Sequence, residues 1–167
     1  MLLKDKHIGY NNKKVLIIGC ENAMLGREIR DDIKSREEIC DIIYKDEFKN
    51  VFLKKDIKNV IIFGSFSGGD FTDESDIDIA VIPEKELCFT NEIDIEAQLE
   101  DLFGRSIDII NINNENINAL IKIEALNSKL IIMKNEKYEE AQNFYENYYK
   151  ENEEFWYFLD REVLYNE

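Results

Sequence analysis

The sequence predicts an α+β fold, and three observations carry that reading. Short apolar runs of strand length end at Gly or Pro, the segments between them show helical periodicity, and residues 134–167 carry an acidic, aromatic helical stripe. A chain of 167 residues is the size of one domain with room for an extension. No run approaches the roughly 18 apolar residues that span a bilayer. Met1-Leu2-Leu3-Lys4-Asp5-Lys6 lacks the apolar segment of a signal peptide, so a cytoplasmic protein without a membrane partner is expected.

In chain order, residues 15–18 read as a short buried strand closed by Gly19. A helix follows whose face carries Leu25, Ile29, Ile33, Cys40 and Ile43. Strand, glycine and helix invite a phosphate-binding loop, but Gly19 and Gly26 fit neither G-x-G-x-x-G nor G-x-x-x-x-G-K-S/T, and the unit is read as structural. Phe48, Val51 and Phe52 predict a further helix, and residues 60–63 a strand ending in a Gly-Ser turn. Residues 77–82 form the next strand, stopped by Pro83, which has no amide to donate. The helix predicted over 91–103 places Ile95, Leu99 and Leu102 on one face, with Gly104 as its stop. Residues 106–110 read as a third strand, a helix capped by Asn114 or Asn116 runs to Leu126, and 130–133 is a small strand. Ala141, Tyr145, Tyr148, Phe155, Leu159 and Val163 recur at helical steps. That stripe packs on its own sheet, joins two copies in a homo-oligomer, or presents a partner face; the sequence leaves all three open.

The formal net charge is -15, from 36 acidic and 21 basic residues. Such a surface repels phosphate, so polymeric nucleic acid is not expected as the main partner, whereas a basic protein or a cationic small molecule is attracted. Cys20, Cys40 and Cys88 are far apart and an odd number, which reads as buried or free thiols in a reducing compartment. His7 is the single histidine, so neither H-E-x-x-H zinc chemistry nor a Ser-His-Asp triad is indicated.

The chemistry concentrates in residues 64–78. Gly64-Ser65 closes one strand, Gly68 and Gly69 let the loop bend, and Asp76 and Asp78 flank Ile77 at the start of the next strand. Strand side chains alternate, so the two aspartates leave one face and can share hard cations. Asp108, framed by Ile107 and Ile109, faces the same site if its strand lies beside 77–82. It can then hold a second metal ion or accept the proton of an attacking hydroxyl. Gly64 allows backbone to approach a ligand, Ser65 supplies a hydroxyl, and Ser75 caps or orients the loop. Two Mg²⁺ ions on such carboxylates would suit transfer of a nucleoside monophosphate from a triphosphate. Asp70, Asp73 and Glu74 read as loop solvation.

Gly64-Ser65 followed by Asp76-Ile77-Asp78 resembles the Gly-Ser-x10-Asp-x-Asp signature of the DNA polymerase β-like nucleotidyltransferase superfamily, and Asp108 falls where that family has its third carboxylate. The resemblance is to its minimal nucleotidyltransferases, the MNT group. It implies a small mixed β-sheet flanked by helices, completed by the C-terminal helix. It also implies Mg²⁺ on Asp76, Asp78 and Asp108, with ATP as substrate and its triphosphate at Gly64 and Ser65; Ser75 is expected among the nucleotide-binding residues. The chain then divides into an N-terminal β-turn-α extension of unknown role at 1–45, a nucleotidyltransferase core at 46–133 and the acidic aromatic helix at 134–167. Gly68 departs from the arginine that the family often carries there. Many members of the group are antitoxins that silence a HEPN ribonuclease toxin by moving AMP to one of its tyrosines, and the C-terminal half has a similar layout. The expected function is therefore an AMP-transferring antitoxin. A nucleotidyltransferase acting on aminoglycoside-like small molecules and a binding-only antitoxin are the alternatives.

Overall fold

The computed structural model describes residues 33–157. The strand expected at 15–18, Gly19, Leu25, Ile29, Leu159 and Val163 lie outside the described residues. The helices are α1 (Arg36–Ile43), α2 (Asp46–Leu53), α3 (Gly64–Gly68), α4 (Phe89–Phe103), α5 (Ala119–Leu126) and α6 (Glu136–Glu151), and the strands are β1 (Ile57–Phe63), β2 (Ile77–Pro83), β3 (Ile107–Asn111) and β4 (Leu130–Met133). The strands form one mixed sheet in the order β3-β2-β1-β4. β1 pairs antiparallel with β2 and β4, and β2 pairs parallel with β3. This is the α+β architecture expected, a small mixed sheet flanked by helices.

Period-two alternation sorts each strand between two cores. From β2, Ile77, Ile79 and Val81 join Ile39 and Ile43 of α1, Phe48 and Phe52 of α2, and Ile95, Leu99 and Phe103 of α4. Phe48 is central to this side, with its ring 5.2 Å from Phe52 and 5.7 Å from Phe103. Ala80 and Ile82 leave the opposite face and meet Ala125 and Leu126 of α5 and Tyr138 of α6. Asp78 shares the parity of Ala80 and Ile82, so it opens towards the α5/α6 side. Among the described residues no helix is long and apolar enough to cross a membrane.

β1 begins at Ile57 rather than 60 and β3 spans Ile107–Asn111 rather than 106–110, and four helix boundaries also differ from expectation. Ile33 precedes the helix and is 48% exposed. The helix starts only at Arg36, because Ser35 and Glu38 form a capping box: the Ser35 hydroxyl accepts from the Glu38 amide and the Glu38 carboxylate accepts from the Ser35 amide. α4 begins at Phe89 rather than Asn91, with Cys88 at its N-cap. Asn118 caps α5 through a bond from the Leu120 amide at 2.9 Å. Asn114 instead accepts from the Asn116 amide at 3.0 Å, which makes it a turn residue. α6 stops at Glu151, so Phe155 is not on the same continuous helix as Tyr145 and Tyr148. Ala141 and Tyr145 pack on the sheet side, while Tyr148 and Phe155 are 37% and 55% exposed.

A buried asparagine fixes where α6 departs. Asn59 of β1 is fully buried, donates to the Ile82 carbonyl at 3.1 Å and accepts from the Asn135 amide at 2.7 Å. Asn135 in turn caps α6 by accepting from the Lys137 amide at 3.0 Å. Asn59→Ala leaves a buried carbonyl and amide without this partner and is expected to cost about 1–3 kcal/mol. Urea unfolding of the purified variant measures it.

Candidate active site

The site is built where three strands meet at one end of the sheet. Phe63, the last residue of β1, pairs with Asp78 of β2, and Asp78 pairs in register with Asp108 of β3. Because β2 and β3 run parallel, Asp78 and Asp108 leave the same face side by side. Both strands enter through apolar residues, Ile77 and Ile107, that anchor the opposite core. Asp76 lies one residue before β2 and is exposed, as is Asp108, whereas Asp78 is half-buried.

The Gly-Ser turn is fitted against Asp78. Gly64 has φ +61°, in the left-handed region. A Cβ built there would collide with Asp78 Oδ2, so the carboxylate occupies the space that a side chain would need. Gly64 also opens α3, a helix of only five residues that ends at Gly69 with φ +104°. Ser65 lies in its first turn and is half-buried. Ser67, two residues on, meets the Ser128 hydroxyl at 3.2 Å, and Ser128 donates to the Ile62 carbonyl at 2.5 Å. The loop after α5 is thereby tied to the turn. At Gly68 a Cβ would meet open space, so the lack of an arginine there leaves the outer side of the turn uncovered.

Ser75 closes the approach to Asp76. Its hydroxyl accepts from the Thr72 amide at 3.0 Å and meets the Thr72 hydroxyl at 3.1 Å, while its own amide donates to the Thr72 carbonyl at 3.2 Å. The geometry places Ser75 in loop closure. Asp70, Asp73 and Glu74 are exposed.

Negative charge dominates the centre. Burial first, then the charges of Asp108, Glu124 and Asp76, push the Asp78 carboxyl from 3.8 up to about 6. Glu124 of α5 was not singled out from the sequence; only the packing of α5 over the sheet brings it towards Asp78. Behind β3, burial raises the Glu96 carboxyl, a bond from the Ile109 amide lowers it, and Asp108 raises it again. Among the described residues, no group of three or more His, Cys, Asp or Glu side chains converges closely enough to hold a metal ion. The carboxylates flank an open site and do not form a finished cage. They nevertheless fit Mg²⁺ in donor chemistry: all are hard oxygens, Asp78 and Asp108 are neighbours, and Mg²⁺ usually takes one or two carboxylates with the rest from phosphate and water.

Two outcomes follow from this geometry. Below pH 3.8 the Asp78 carboxyl is protonated in both folded and unfolded chains. Between there and about 6 the folded chain keeps a proton that the unfolded chain has lost, so stability falls as pH rises through this window. In metal-free buffer Asp78→Asn is therefore expected to melt above the wild type at about pH 8, with the gain vanishing towards about pH 4. Thermal melts across that range measure it. Gly64→Ala forces a left-handed alanine against Asp78 and is expected to destabilise by at least about 1–2 kcal/mol, read by urea unfolding.

No curated protein matches the chain. Among solved structures, it is similar to a chain of a toxin–antitoxin complex crystallised with AMP-PNP, at 16% identity and TM-score 0.59, covering 71% of this chain and 97% of that one. A chain of a mutant MntA–HpeT toxin–antitoxin complex is 13% identical with TM-score 0.57, covering 78% and 99%. A chain of a complex between a tri-AMPylated HEPN toxin of Shewanella oneidensis and an MNT antitoxin is 14% identical with TM-score 0.52, covering 77% and 95%. At these identities the likeness is one of fold. The model of the polymerase β nucleotidyltransferase domain matches residues 46–137, more than half of the sequence, and the chain belongs to that nucleotidyltransferase family.

Proposed function

We propose that the protein is a Mg²⁺-dependent adenylyltransferase acting as an antitoxin, which moves AMP from ATP to a tyrosine of a partner HEPN ribonuclease. The observation that carries the transferase part is the row across the sheet: Gly64 pressed on Asp78, and Asp78 in register with Asp108. In this reading Asp76, Asp78 and Asp108 hold Mg²⁺, Gly64 and Ser65 meet the triphosphate, and Ser75 keeps the approach to Asp76 in shape. Mg²⁺, when bound, offsets charge that develops on the phosphate oxygens of the attacked and leaving groups. The acceptor oxygen forms a bond to the α-phosphorus, and the bond from that phosphorus to the α,β-bridging oxygen breaks. Pyrophosphate leaves with the electron pair, and in this reading Asp108 takes the acceptor's proton.

The antitoxin part draws on different support. Solved complexes of the same fold include an AMPylated HEPN toxin. The net charge of -15 suits a basic protein surface. Phe144, Phe155 and Tyr157, on and beyond α6, are 62%, 55% and 58% exposed, and exposed aromatics suit a protein interface. Both ATP and an intracellular ribonuclease would be met in the cytoplasm.

The test mixes the purified chain with ATP, Mg²⁺ and the HEPN-type protein encoded beside it, and weighs that protein by mass spectrometry. The expected result is addition of AMP on tyrosine, abolished by Asp76→Ala with Asp78→Ala. An unmodified partner in the presence of active, ATP-binding protein contradicts the acceptor assignment. Neutralisation that survives the double substitution assigns silencing to binding instead of transfer.

A further inference from the structure

Among the described residues the nucleotidyl-transfer reading leaves two buried cations unused, Lys122 and Arg105, and only Arg105 grips the loop before Asp76. Arg105 sits in the turn between α4 and β3 and is only 5% exposed. Its Nε donates to the Lys34 carbonyl at 2.9 Å. Its Nη1 is shared among the carbonyls of Thr72 at 3.0 Å, Asp73 at 2.9 Å and Ser75 at 3.3 Å. The guanidinium carbon lies 4.6 Å from the centre of the Phe71 ring. The nearest carboxylate in an ion pair with it, Asp73, is 3.5 Å from Nη2 on a side chain that is 99% exposed. An ion pair so open to water offsets little of the cost of burying a cation. Backbone carbonyls do most of that work, and all but one belong to the loop that delivers Asp76.

Buried charged groups are often replaceable by apolar side chains without loss of stability, so a demanding arrangement of this kind points to a geometric role. Directly after Arg105, the Ser106 carbonyl accepts from the Ile77 amide at 3.0 Å. Asp76 is therefore held between two anchors from adjacent residues: Arg105 Nη1 on the carbonyls of Thr72, Asp73 and Ser75, and the Ser106 carbonyl on the Ile77 amide. Asp108 follows Ser106 by two residues, on β3. One turn thus sets the position of Asp76 relative to Asp78 and Asp108.

We infer that Arg105 is a positioning residue for the metal–nucleotide site, fixing Asp76 by gripping the carbonyls of the loop before it. This rests on the nucleotidyltransferase reading above. A lysine keeps the charge but has no planar fork, and one ammonium cannot at once take the place of Nε on the Lys34 carbonyl and of Nη1 on the loop carbonyls.

The test titrates Mg²⁺ with ATP by calorimetry into wild type, Arg105→Lys, Asp76→Asn and the double variant, with thermal melts alongside. For folded Arg105→Lys the half-saturating Mg²⁺ is expected to rise about tenfold or more, the range seen when partners that orient metal ligands are lost. Adding Arg105→Lys to Asp76→Asn is expected to cost little further, since Arg105 acts through Asp76. A folded Arg105→Lys with a lowered melting point but wild-type Mg²⁺ dependence would be merely structural and overturns the proposal. If Arg105→Lys fails to fold, Phe71→Leu removes the stacking face together with the ring contact to Phe66 at 4.8 Å and is expected to shift Mg²⁺ dependence the same way by less; wild-type dependence there overturns the proposal equally. Wild-type protein that binds no Mg²⁺ with ATP is a separate outcome: it rejects the nucleotidyltransferase reading, and the role of Arg105 with it.

Discussion

Two carboxylates held side by side on parallel strands repel each other, and the rest of the structure makes that repulsion tolerable and useful. The parallel pairing of β2 and β3 sets Asp78 against Asp108. The apolar neighbours Ile77, Ile79 and Ile107 are locked into the opposite core, so neither strand can slip by one residue without turning its aspartate away from the site. Gly64 fills the other flank of Asp78 with bare backbone, which both confines the carboxylate and leaves room for a ligand against the turn. Half-burial and three acidic neighbours then leave Asp78 with a proton affinity far above that of a free aspartate. Negative charge stored in this way is unfavourable for the empty protein and favourable for one that takes up a cation with a phosphate ligand.

The two helical layers divide the labour. α1, α2 and α4 pack on the far face, where the largest buried side chains are concentrated, with the rings of Phe48, Phe52 and Phe103 in contact. The α5/α6 layer is thinner. It contributes Glu124 to the charge around Asp78, ties Ser128 to the Gly-Ser turn, and leaves aromatic side chains on the outer side of α6. The carboxylates thus have a packed core beneath them and an acidic side above them.

What the sequence made legible was set by local chemistry. Strands β1, β2 and β3 are apolar runs punctuated by Gly64, Pro83 and Gly104, and their aspartates interrupt those runs in plain view. Helix starts were harder. Asn111, Asn114 and Asn118 each accept a bond from an amide two residues on, so an asparagine-rich stretch offers several equivalent caps and only tertiary packing selects Asn118. Ile33 fits a helical stripe by spacing, yet the Ser35–Glu38 capping box starts the helix after it. Arg105 and Glu124 carry no motif at all. Their importance comes from where α4 and α5 end up over the sheet, which a single sequence does not display.

The central claim is that Asp78 and Asp108 form one metal–phosphate site beside the Gly-Ser turn. A crystal grown with Mn²⁺ and a non-hydrolysable ATP analogue tests it directly through the anomalous signal of the metal. The account predicts a metal peak about 2.1–2.2 Å from oxygens of both Asp78 and Asp108, close to Mg²⁺–oxygen distances, with the triphosphate against Gly64 and Ser65. Nucleotide bound elsewhere on the chain, or metal that bypasses both aspartates, would contradict it.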